Sequence, residues 1–170
     1  GLPAWLALPE RLLPIRAPGI KPGRVMVRDV GESLPVPLSV ALATQPDAAW
    51  LACYEQDASV DVLTAVLDGV LTFASVAGCA VGRGAVTTAP DGTRWLGISS
   101  VRVGPEHRRR GYARAVCEAL MTWGVESGAQ RCYIQVEDAD AAAIALYTSM
   151  GFRLHHHTRY VAAAEVLTPR

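Results

Sequence analysis

The sequence predicts an α/β chain: a mixed, mainly antiparallel sheet of six to seven strands flanked by about four helices. Three observations predict it. Apolar runs over residues 71–103 are broken at Gly78 and at Asp91-Gly92, a spacing that suits consecutive hairpins. Residues 110–127 carry apolar side chains at helical spacing. Residues 131–163 then run strand, helix, strand, with Gly151 placed to close the helix.

Each element has its own reason. Leu6, Leu8, Leu12 and Leu13 make the start too apolar for a free tail, so it is expected to pack on the domain or on a neighbour. Eight of the eleven prolines lie at or before Pro46, so residues 1–22 read as an irregular N-terminal segment or linker and 23–170 as the folded domain. Residues 24–30 partly alternate and give the best first strand. A helix over 46–55 has Pro46 near its start and Trp50, Leu51 and Tyr54 on one side. A second over 59–68 turns Val60, Leu63 and Leu67 inward and stops at Gly69. Strands follow over 71–77, 79–87 and 95–103. The long helix over 110–127 buries a stripe of Ala113, Val116, Cys117, Leu120 and Gly124. Residues 132–136 form a strand, and 141–150 a helix with Ala143, Leu146, Tyr147 and Met150 on one face, capped by Asp138 or Asp140. Strands over 152–155 and 158–163 complete the sheet.

Composition narrows the function. The chain has 170 residues, 51% of them hydrophobic, enough for one domain with a sizeable core. Sixteen basic and sixteen acidic residues cancel, so a polyanion such as bulk nucleic acid is not an expected partner. Cys53, Cys79, Cys117 and Cys132 show no C-x-x-C spacing and fall in apolar segments. They read as small core residues of a protein in a reducing cytoplasm, not as metal or disulfide positions. No apolar run approaches about 18 residues, so no membrane span is expected. Residue 1 is a glycine with no secretory signal after it, which leaves an upstream domain or a homodimer open.

The most informative stretch is 101–115. Val101, Arg102 and Val103 end a strand, Gly104-Pro105 stops it, and Arg108-Arg109-Arg110-Gly111 leads into a helix. A helix that starts at such a turn points several unpaired N–H groups at one spot, and its macrodipole adds about half a positive charge there. The arginines raise the potential further. This is a place to hold a phosphate, and better a pyrophosphate, largely by main-chain contacts. The sequence has neither a G-x-x-x-x-G-K-[ST] loop nor a G-x-G-x-x-G turn after a strand. It has Arg108-x-x-Gly111-x-Ala113, whose small residues let a ligand approach the backbone closely. Alone, that hexapeptide equally suits an arginine-rich loop capping a surface helix.

The later helix adds Ala143-Ile144-Ala145-Leu146-Tyr147-Thr148-Ser149-Met150-Gly151-Phe152. An R-x-x-G-x-A helix, a strand, then A-I-x-L-Y-x-x-x-G-F resembles the GNAT N-acetyltransferase superfamily, densely over 97–160 and by general layout elsewhere. The resemblance implies a sheet with a splayed central strand pair. It implies acetyl transfer from acetyl-CoA to a primary amine of a small-molecule or peptide acceptor, by direct attack in a ternary complex. Backbone groups of Val101, Arg102 and Val103 would pair with the pantetheine amides. The pyrophosphate would rest on the N–H groups of Arg109, Arg110, Gly111, Tyr112, Ala113 and Arg114, with arginine side chains, Arg108 included, adding charge-assisted bonds. Tyr147 would lie near the coenzyme sulfur and protonate the leaving thiolate.

Departures from the family pattern matter. Asp140 stands where the family usually has an asparagine that contacts the pantetheine arm; an aspartate lacks the amide donor and reads as an N-cap. An acceptor amine with a pKa of about 10.4 must lose its proton before attack. Residues 95–103 contain no carboxylate, and Gln135 stands where some relatives have glutamate, so the base is left unassigned. His155 and His157 share a strand face but lack a companion ligand, and read as a sheet face or acceptor-pocket wall, with no metal expected. Two readings compete with the transferase. One is a coenzyme-binding module that senses acetyl-CoA or regulates an attached domain. The other is a basic-loop nucleic-acid binder.

Overall fold

Eight strands and four helices form among the described residues, which are 5–12, 19–31, 39–55, 59–66 and 68–163 of the computed structural model. The strands are β1 (Trp5–Pro9), β2 (Ile20–Asp29), β3 (Ala41–Ala43), β4 (Gly69–Val76), β5 (Ala80–Thr88), β6 (Arg94–Val103), β7 (Arg131–Glu137) and β8 (Arg153–Ala162). The helices are α1 (Ala48–Tyr54), α2 (Val60–Thr64), α3 (Tyr112–Glu126) and α4 (Ala141–Ser149). The chain divides into two units, Arg28–Tyr133 and Gly1–Val27 with Ile134–Arg170, and passes between them inside β2 and inside β7.

Within Arg28–Tyr133 the strand order is β7-β6-β5-β4-β3. The two expected hairpin turns are present. Gly78 takes φ +66° and Gly92 φ +84°, and β4 pairs with β5 in unbroken register from Gly69↔Thr87 to Val76↔Ala80. α3 seats directly on β5 because glycines leave the space. A Cβ built on Gly82 would stand 2.5 Å from Val116, and one on Gly84 would stand 3.1 Å from Leu120. From the helix side, a Cβ on Gly124 would stand 2.8 Å from Leu96. The other face of these strands is covered in part by α1. Asp47 caps α1 by accepting the Trp50 N–H at 2.7 Å, which sets the Trp50 ring into a core with Leu63, Phe73 and Val81. The indole N–H donates to the Ala74 carbonyl at 3.1 Å, so this buried polar group is satisfied.

In the other unit the order is β1-β8-β2-β7. β1 runs antiparallel to β8 from Trp5↔Ala162 to Pro9↔Thr158, and an ion pair of Arg159 with Glu10 at 2.8 Å fixes its end. Ile134, Val136, Tyr147, Met150, Phe152 and Val161 are buried here.

The structure corrects several sequence expectations. The count is eight strands rather than six to seven, because residues 5–9 form a strand and β3 adds a three-residue edge. Local pattern does not reveal β1, whose partner lies far along the chain. One continuous strand replaces the two expected over 152–163. A bulge absorbs the irregularity: Val25 pairs with His156 and Met26 with Leu154, leaving His155 as the extra residue. The α2 helix ends at Thr64, and Val60 is 41% exposed rather than inward. Arg83 explains the early stop, since its guanidinium donates to the carbonyls of Leu63 at 2.6 Å and Ala65 at 3.0 Å. Leu67 lies outside the described residues, as does Leu13. On α3 the buried set shifts to Ala115, Val116, Cys117, Ala119, Leu120, Met121 and Gly124, with Ala113 half-buried. On α4 only Tyr147 is buried, with Met150 just after it.

Two predictions follow from this packing. Gly82→Ala forces a methyl group onto Val116 and is expected to destabilise the fold by about 1–3 kcal/mol, read from urea denaturation. Burial pushes the Cys117 thiol up to about 12 and raises that of Cys132 as well. The folded chain therefore holds these protons more tightly than the unfolded chain, whose thiols ionise at about 8.5. Their contribution is whole below that value and is lost as pH rises towards 12. The urea midpoint of Cys117→Ala should fall less steeply on alkaline titration than that of the wild type.

Candidate functional site

β6 carries the first half of the site. Ser99 pairs with Arg83 and Arg102 with Val81, so Ser100 and Val101 stand together opposite the single residue Gly82. Ser100 takes φ +56°, an uncommon conformation for a residue with a side chain. This bulge changes which face each later side chain takes. Val101 turns towards Gly82 and α3, while Arg102 turns to the α1 face and pairs with Glu55 at 2.9 Å. Val103 pairs with Ala80.

Gly104 then leaves the sheet, held by its N–H bond to the Cys79 carbonyl at 2.9 Å. Pro105–His107 make one tight turn, and His107 N–H donates back to Gly104 at 2.9 Å. The His107 ring stands edge-on to Tyr112 at 6.1 Å, with Nε2 at 3.3 Å from Glu106, so it braces the turn against the first residue of α3. Arg108, Arg109 and Arg110 are exposed, and Arg109 takes φ +63°.

Gly111 is the N-cap of α3, with φ +82° and ψ 0° and no side-chain cap. The first intrahelical bond runs from the Ala115 N–H to the Gly111 carbonyl at 3.0 Å. The N–H groups of Tyr112 and Ala113 thus lie ahead of the helix ladder and point out of its end. In α1, α2 and α4 a side chain accepts at this position: Asp47, Ser59 and Asp140. A Cβ built on Gly111 meets no atom within 4 Å. The space beyond the helix end is open, and exposed arginines surround it. These residues fit a pyrophosphate: main-chain donors, a positive dipole end, and flexible cations. Arg114 sits half-buried in the first turn, with Nη1 at 3.6 Å from Glu118.

The remaining two predicted residues belong to the other unit. Asp140 accepts the Ala143 N–H at 2.9 Å, which makes it the N-cap of α4. Tyr147 is 6% exposed, with its ring tilted on Phe152 at 6.0 Å. The structure thus brings residues 101–103 and 108–114 together in one unit, and sets Asp140 and Tyr147 on one helix of the second.

Two residues close to these sites escape a reading by sequence pattern, Glu55 and Ser100, and the structure gives Asp138 and His157 partners that the sequence does not show. Glu55 is a left-handed C-cap at φ +51° that reaches Arg102. Asp138 binds Arg24 at 2.7 Å and faces His157 at 3.7 Å, while its N–H donates to Pro22 at 2.9 Å. Asp138 thereby ties the β7–α4 connection to β2 and β8. His155 and His156 bring their Nδ1 atoms to 2.7 Å of each other, so the three histidines do not act as one group. All of these pairings link residues far apart in the chain or depend on a bulge, which local spacing does not encode.

Comparison with known proteins gives this geometry a family. Residues 1–161 match the family described as "Probable histone acetyltransferase Rv0428c C-terminal". The chain is 47% identical over 168 residues to the probable histone acetyltransferase Rv0428c of Mycobacterium tuberculosis, covering 97% of this chain and 55% of that protein. A 55-residue stretch, 32% of this chain and 37% of the relative, is 38% identical to the ribosomal protein bS18-alanine N-acetyltransferase of Escherichia coli. The chain thus spans about half or less of these relatives' lengths. The fold is similar to a GCN5-related N-acetyltransferase from Kribbella flavida, with TM-score 0.61 and 18% identity, covering 93% of this chain and 67% of that one. With the family match running through all but the last residues, the chain belongs to the GNAT acetyltransferases, in the family of the Rv0428c C-terminal region.

Proposed function

We propose that this chain is an N-acetyltransferase that moves an acetyl group from acetyl-CoA to a primary amine of a protein or peptide. The observation that carries the reading is the open, uncapped N-terminus of α3 behind a left-handed Gly111, set beside three exposed arginines. The protein acceptor is inferred from the relatives, one named a probable histone acetyltransferase and another a ribosomal protein alanine N-acetyltransferase.

The chain's own groups divide the work. The N–H groups of Arg109 to Arg114 and the side chain of Arg108 hold the pyrophosphate, so binding depends on the backbone conformation at Gly111. Edge groups of Val101, Arg102 and Val103 hold the pantetheine amides as a neighbouring strand would. Asp140 serves as a helix cap; its carboxylate is already engaged by Ala143. Tyr147 gives its phenolic proton to the thiolate as it leaves. A phenol is a weak acid at neutral pH, but a thiolate expelled in an acyl transfer is basic enough to take that proton. The attacking amine gives up its own proton to a base that is left unassigned, and a proton from solvent restores the Tyr147 phenol, so that amine and thioester become amide and thiol.

Two substitutions test the reading by calorimetry and steady-state kinetics. Gly111→Val places a branched side chain at φ +82° and in the open space, and should abolish acetyl-CoA binding that the wild type shows. Tyr147→Phe should lower kcat by about 100-fold while the acetyl-CoA Kd stays within about twofold. Unchanged turnover would remove Tyr147 from the chemistry. Tight binding with no transfer to any amine would instead support the sensing module.

A further inference from the structure

The sheet face turned away from α3 carries a cluster that the coenzyme site does not use. Side chains alternate along a strand, so with Gly82, Gly84 and Leu96 under α3, the neighbours Arg83, Trp95, Gly97 and Ser99 face the other way. Tyr133 of β7 joins them. Its hydroxyl would stand 2.6 Å from a Cβ built on Gly97, so its ring lies over the space that this glycine leaves. The Tyr133 ring packs edge-on against Trp95 at 6.3 Å, and the Arg131 guanidinium lies 5.6 Å from the Trp95 ring. All of these residues belong to one unit, Arg28–Tyr133.

The polar groups of this cluster are donors with capacity to spare. A guanidinium has five N–H groups. Arg83 directs one to Leu63, one to Ala65 and one towards Ser99 Oγ at 3.5 Å, leaving two without a partner among the described residues. Burial of part of the side chain disfavours its charge, while the bonds from both Nη atoms stay exposed. The Tyr133 hydroxyl has no hydrogen-bond partner among the described residues, and the side chain is 40% exposed. Ser99 is exposed beside it. A donor-lined patch rimmed by two arginines and two aromatic rings suits a carbonyl oxygen with a flat peptide group beside it. It repels polycations such as polyamines and aminoglycosides, whose amines offer no carbonyl and add like charge.

We infer that Arg83, Ser99 and Tyr133 form an acceptor subsite that binds a main-chain carbonyl oxygen of a peptide, flanked by the rings of Trp95 and Tyr133. The inference rests on the transferase reading above and names the substrate class of that activity. Arg83 has a second role, since it fixes the end of α2; the sharper probes are therefore Tyr133→Phe and Ser99→Ala, which remove one hydroxyl each.

The test compares amines that differ only in amide groups: Nα-acetyl-lysine N-methylamide against n-pentylamine, and alanine N-methylamide against ethylamine. The wild type should favour the amide-bearing member of at least one pair by kcat/KM. Tyr133→Phe should cut that preference by about three- to tenfold, the worth of one neutral hydrogen bond. A loss of fold would lower both members of a pair together and leave the ratio intact, and circular dichroism checks it directly. No wild-type preference, or a ratio unmoved in both variants, overturns the subsite. Acetyl-CoA binding without transfer to any of the four amines overturns the transferase reading itself, and the subsite with it.

Discussion

The close seat of α3 on β5 and β6 is the constraint on which the rest of this unit depends. Three glycines permit it. Gly82 and Gly84 let Val116, Leu120 and Trp123 reach the strand backbone, and Gly124 lets Leu96 reach the helix. A helix seated this tightly has no freedom to slide or rotate, because any added methyl group meets a packed side chain. The start of α3 is therefore held in a fixed place relative to the end of β6. The hydrogen bond from Gly104 to Cys79 and the edge-on contact of His107 with Tyr112 then stiffen the turn between them. Arginines on a loose loop would give only diffuse attraction; main-chain donors on a fixed helix end give a defined place for an anion.

The bulge at Ser100 gives β6 two characters. Before it, Trp95, Gly97 and Ser99 face away from α3; after it, Arg102 takes that face and Val101 takes the other. One strand thus presents polar groups to the open face while keeping apolar groups under the helix on both sides of the irregularity. Two left-handed non-glycine residues, Ser100 and Arg109, flank the end of this strand, and Glu55, a third, reaches it through Arg102. Strained backbone of this kind persists only where neighbouring structure holds it, and such residues concentrate at functional sites.

Much of this was legible in the sequence, for identifiable reasons. Gly78, Gly92 and Gly151 announced their turns because each needs a positive φ that other residues resist. The helix of α3 announced itself through its apolar spacing, and the turn before it through Gly111, which takes φ +82°. What stayed hidden depends on residues distant in the chain. β1 is a strand only because β8 lies beside it, and Arg83 ends α2 from another element altogether. The pairing of Arg102 with Glu55 follows from a bulge that turns Arg102 to the α1 face. A reading based on local period sees none of these.

The central claim is that the first N–H groups of α3 hold the coenzyme. Amide chemical-shift mapping during an acetyl-CoA titration tests it most directly, because each backbone N–H reports for itself. The expected result is that the largest shifts fall on Arg109 to Arg114, with a second set on Val101 to Val103. Shifts that leave Gly111, Tyr112 and Ala113 unmoved while the ligand binds would contradict it.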